Sequence, residues 1–147
     1  MATIAHPTAG ELARRHLTSS ARAALERAVD AAPSRIPPPR GRLRRLFARA
    51  RSARAIIERY RLWPEIEYAY ERITREFGPA RVQIAAEDDY GEPYVAIDCY
   101  VSSPGDTDAR LDFEEYLRAE LIRRLGKRFM CLTVLVHGDY PGGEADE

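Results

Sequence analysis

The sequence predicts an α+β fold: a three-stranded mixed sheet with two helices in the order αββαβ, preceded by an Arg-rich helical N-terminal segment. Three observations predict it. Ile66, Tyr70, Ile73 and Phe77 recur at helical spacing before Gly78-Pro79. Val82, Ile84 and Ala86, then Val95, Ile97, Cys99 and Val101, alternate on either side of an acidic turn from Glu87 to Glu92. Phe113, Leu117, Leu121 and Leu125 form a second helical stripe, followed by the nearly continuous apolar run Phe129 to Val136.

Thr8-Ala9-Gly10-Glu11 fits a capping box, so a helix is expected to follow as far as Ala32, with Leu12, Leu17, Ala21, Leu25 and Val29 near one face. Thr18-Ser19-Ser20 is expected to divide it, and the resulting short-long pair admits a helix-turn-helix reading. Residues 1–32 therefore read as an N-terminal helical segment. Residues 33–40, with Pro33 and three successive prolines at 37–39, read as a linker, because proline lacks the amide donor that a helix or central strand uses. Residues 41–61 read as a basic amphipathic helix: Leu43, Leu46, Phe47, Ala50, Ala53, Ile56, Ile57 and Tyr60 make the apolar stripe, and Arg42, Arg44, Arg45, Arg49, Arg51 and Arg54 the other face.

The core domain spans 62–137. Pro64 suits the first turn of its leading helix, and Gly78-Pro79 supplies a C-cap and a breaker. The two alternating runs make a hairpin. Ser102 to Asp106 is a loop, Thr107 or Asp108 caps the next helix, and Gly126 closes it. A strand-helix-strand passage favours a right-handed parallel crossover, so the second and third strands should be parallel and the first antiparallel to the second. The last strand, apolar on both parities, is expected at the centre of the sheet. Residues 138–147 form an acidic tail too polar to pack.

Equal numbers of Lys+Arg and Asp+Glu, 23 each, hide a segregation. Residues 1–59 hold thirteen arginines against four acids, a net of about +9, which leaves about −9 for the remainder. Opposite fields on two segments either bind outside partners or pack on each other. No stretch approaches the roughly 18 uncharged apolar residues of a membrane span, and residues 1–10 lack a secretory h-region. Cys99 and Cys131, both inside apolar runs, fit a reducing compartment; a cytoplasmic bacterial protein is expected.

Few residues offer chemistry. The carboxyl ends of the parallel strands carry Ser102 and Ser103 on one side, His137 and Asp139 on the other, but no nucleophile-elbow glycines precede the serines. Asp98 is the one acid inside a β pattern, with parity opposite the apolar face. Asp98 and His137 are thus the active-site candidates. No spacing of His, Cys or acids supports a metal site, and no cofactor motif is present, so no metal or cofactor is expected.

The element order over residues 66–136, the run Phe77-Gly78-Pro79-Ala80-Arg81-Val82 entering the first strand, and Ile97-Asp98 together resemble the minimal nucleotidyltransferase proteins of bacterial toxin-antitoxin pairs. The family's Gly-Ser pair is replaced by Ala85-Ala86-Glu87, the first acid of its Asp-x-Asp falls on Ala96, and the last strand, Cys131-Leu132-Thr133-Val134, lacks its third acid. The resemblance implies the fold with a degenerate catalytic motif, in which Asp98 alone matches. The expected function is a non-catalytic protein-interaction module, the antitoxin-like member of a two-gene pair, docking its basic helix on an acidic protein surface or a second copy. The alternatives are nucleic-acid binding through the same six arginines and a residual nucleotidyltransferase-like enzyme.

Overall fold

A computed structural model describes residues 9–37 and 51–138, with side chains described from residue 20 onward in the first stretch. Four α-helices are described: α1 (Ala9–Asp30), α2 (Ala53–Tyr60), α3 (Trp63–Phe77) and α4 (Thr107–Leu125). The strands are β1 (Ala80–Asp89), β2 (Glu92–Val101) and β3 (Leu132–His137), and a 3-10 helix, Gly126–Cys131, joins α4 to β3. The fold is the expected α+β arrangement, with β1 antiparallel to β2 and β2 parallel to β3. No described helix is long and apolar enough to cross a membrane.

The strand order is β1-β2-β3, so β2 is central and β3 lies at an edge. This corrects the expectation of a central last strand. The hairpin occupies one side of β2, and the α4 crossover can deliver β3 only to the other side. The start of the apolar run is not strand at all: Phe129 and Met130 lie in the 3-10 helix and are exposed.

The hairpin turns on two residues, Tyr90 (φ 52°) and Gly91 (φ 89°), both left-handed as a primed turn requires. Asp88 helps by accepting a hydrogen bond from the Gly91 amide at 3.2 Å. Alternation then sorts the side chains. Val82, Ile84 and Ala86 of β1, Val95, Ile97, Cys99 and Val101 of β2, and Leu132, Val134 and Val136 of β3 share one face. That face joins Leu25 and Val29 of α1, Ile56 and Ile57 of α2, Ile66 and Ile73 of α3, and Leu117, Leu121 and Leu125 of α4 in a single apolar cluster.

Local signals explain the helix ends. α1 runs unbroken through Thr18-Ser19-Ser20, so the divided pair expected there does not form. After it, Pro33 to Arg35 lies along the outer edge of β1: the Ala86 amide donates to the Pro33 carbonyl (3.0 Å) and the Arg35 amide to the Ala86 carbonyl (2.8 Å). Proline suits this place, since an edge strand needs no donor on its far side. The single helix expected over 41–61 does not include Ser52, which is extended and caps α2 by accepting from the Ala55 amide at 3.1 Å; residues 41–50 of that stretch lie outside the described residues. Asp106, not Thr107 or Asp108, caps α4.

Arg128 ties the layers together. Its guanidinium donates to the carbonyls of Tyr60 (2.8 Å) and Arg61 (3.1 Å) at the end of α2 and to Leu125 (3.3 Å) at the end of α4, with Glu65 at 3.7 Å. A cation placed on helix C-terminal carbonyls satisfies groups that have no partner within the helix. Arg128→Ala is expected to lower stability by about 1–3 kcal/mol, the range for hydrogen bonds to a charged group, read as a lower urea midpoint with unchanged slope.

Burial pushes the Cys99 thiol up to about 12 from an ordinary 9.0, with the nearby Asp98 charge adding a smaller push. The folded chain then holds this proton more tightly than the unfolded chain does. Its contribution to stability is intact below pH 9 and is lost as pH rises from there toward about 12. A urea midpoint that declines across that window, and declines less in Cys99→Ala, is the expected result.

Candidate functional site

The face of the sheet opposite the core carries the polar residues. Register sets them in rows: Arg81, Tyr100 and His137; Gln83, Asp98 and Leu135; Ala85, Ala96 and Thr133. The helices' buried apolar side chains join the cluster on the other face.

Asp98 and His137, the two candidates from the sequence, meet on this face. They sit on neighbouring strands, 39 residues apart in sequence, and His137 Nε2 lies 2.7 Å from Asp98 Oδ1. Both side chains are about one third exposed, at 31% and 38%. Tyr100 stacks on the imidazole, with ring centroids 4.8 Å apart and planes at 23°. A carboxylate only accepts, so Nε2 carries the proton and Nδ1 is the ring atom left to meet a ligand. An acid that orients an imidazole is half of a nucleophile-activating unit. The remaining half is not supplied among the described residues: Ser102 and Ser103 are exposed at the end of β2 with no hydrogen bond to the ring, and Asp139 lies outside the described residues. Among the described residues no group of three His, Cys, Asp or Glu is placed to hold a metal ion.

The arginine set is only partly described. Arg42, Arg44, Arg45 and Arg49 lie outside the described residues. Arg51 donates to the Ile36 carbonyl at 3.1 Å, and Arg54 pairs with Asp30 at 2.6 Å, which raises the arginine's already high pKa. Other arginines of the basic half also pair within the chain. Arg22 lies 3.9 Å from the centre of the Trp63 ring and pairs with Glu67 of α3, and Arg35 pairs with Glu87 of β1 at 2.5 Å. At these positions the opposite charges of the two segments meet each other.

A second feature was missed by sequence reasoning. Between α4 and the outer edge of β3 runs a groove of about 440 Å³, lined by Leu121, Ile122, Leu125, Phe129, Met130, Leu132 and Val134, with Asp89, Tyr94, Arg118 and Thr133 also contributing. Ile122, Phe129 and Met130 are 43%, 44% and 58% exposed, so three of the six exposed large apolar residues among those described line one site. At the far end of β3 the Val136 amide donates to Glu114 Oε1 of α4 at 2.6 Å. The signal was the apolar run itself, which reports that side chains want cover and not which element supplies it.

No protein family, curated protein or solved structure matches the chain.

In Asp98→Ala the imidazole loses its orienting acceptor. Long-range nitrogen-proton NMR should show the Nε2-protonated tautomer in the native chain and a mixture in the variant, with less than about 1 kcal/mol lost in stability, as befits a half-exposed pair.

Proposed function

We propose that this chain is a protein-interaction module that binds another polypeptide along the flank formed by α4, the 3-10 helix and β3. One observation carries the reading: Ile122, Phe129 and Met130 gather, exposed, at a groove beside the β3 edge, which has no neighbouring strand among the described residues. Contiguous exposed apolar groups of this kind mark interaction sites, and a free strand edge offers main-chain donors and acceptors to an extended partner. The reading keeps the interaction role expected from the sequence and places the contact on this flank; the two described members of the arginine set, Arg51 and Arg54, are already occupied within the chain. Acidic groups on and beside the groove, Asp89 and then Asp108, Asp112, Glu114 and Glu115 of α4, disfavour a phosphate backbone at this surface.

The test is native mass spectrometry of the tagged chain isolated from cells that encode it, beside Phe129→Asp and Met130→Asp. The wild type should carry a stoichiometric polypeptide, either itself or another chain, and both variants should lose it while keeping their thermal midpoint. A wild type that carries none overturns the reading, as does a complex indifferent to both substitutions.

A further inference from the structure

We infer that the occupant of this flank is a second copy of the same chain, with β3 paired antiparallel to β3 across a two-fold axis so that the two sheets join into one of six strands. The inference rests on the interaction reading above and names its partner.

Main-chain direction gives the pairing. In a strand, the N–H and C=O of one residue point the same way and alternate along the chain. The Val136 amide points outward, because it reaches Glu114 of α4, so Val134 and Leu132 also direct their donors and acceptors away from β2. Glu114 closes the far end of the edge. A two-fold axis at Thr133 uses what remains open: Leu132 faces Val134 of the second copy, Val134 faces Leu132 of the second copy, and each outward-facing pair exchanges two hydrogen bonds. The bond from Val136 to Glu114 is left undisturbed.

Charge selects a copy over an unrelated chain. Within the groove one acid, Asp89, accompanies one base, Arg118, so a reversed copy can set each against the opposite sign, while Asp108, Asp112, Glu114 and Glu115 line the neighbouring surface of α4 and not the groove itself. The whole chain, with 23 basic and 23 acidic residues, has no net charge to repel its duplicate.

The experiment is sedimentation velocity of the purified recombinant chain across a micromolar concentration series, with amide hydrogen exchange read at Leu132 and Val134. The wild type should move from one to two chain masses, and both amides should become protected as it does. Val134→Pro removes an outward donor at an edge position where proline is tolerated, and Met130→Glu places a charge at the rim; each should weaken the dimer by roughly 30-fold or more, the scale of an interface hot spot. Met130→Glu keeps the test valid should the proline variant fail to fold. A chain that stays monomeric, or a dimer insensitive to Met130→Glu, overturns the inference. If the recombinant chain is monomeric while the cellular complex contains a different polypeptide lost in Phe129→Asp, the interaction reading stands and only the second copy is wrong; if neither complex exists, both fall.

Discussion

The strand residues of the apolar cluster share one parity, and so one face of the sheet receives most of the burial the fold can offer. Ile84 and Ala86, Val95, Ile97, Cys99 and Val101, and Leu132 and Val136 meet the four described helices on that side. Hydrophobic burial scales with area removed from water, so a sheet of three strands gains most by stacking every helix where its apolar side chains already point. The rest follows from this one-sidedness. The second face is left to polar and aromatic groups, which is why Asp98, Tyr100 and His137 can meet there half-exposed. The helices are drawn close enough for Arg22 to reach Trp63 and Glu67, and for Arg128 to span the ends of α2 and α4.

Much of this was legible in residue order. Period-two runs gave both strands of the hairpin and put Asp98 on the polar side, and the stripe ending at Phe77 gave α3 with its Gly78 cap. The meeting of Asp98 with His137 was not legible. Each residue stood out alone, but their approach depends on the parallel register that sets Tyr100 beside His137, and a crossover of α4's length leaves that register open. The start of α2 after an extended Ser52 escaped for a different reason: Ala50, Ala53, Ile56 and Ile57 keep helical spacing in the sequence, and periodicity cannot see where a helix begins within an unbroken stripe. The position of β3 was misjudged because an apolar run states how much cover a strand wants, whereas connectivity decides where it lies.

The six arginines show the same limit. Segregated charge promised either outside binding or internal pairing, and only three-dimensional proximity distinguishes the two. Arg54 finds Asp30, and Arg51 finds a carbonyl in the segment after α1. Neither partner sits at a sequence distance that local rules would flag.

The segment Pro33 to Arg35 gives the sheet unequal margins. It lies across the outer side of β1 at Ala86, presents a proline there, and fastens itself through Arg35 to Glu87. Strand-by-strand accretion requires two receptive margins on every molecule, as in fibrils, and here one of them is blunted. On the proposed β3–β3 pairing, growth stops after a single union, a closed pair in place of an endless ribbon.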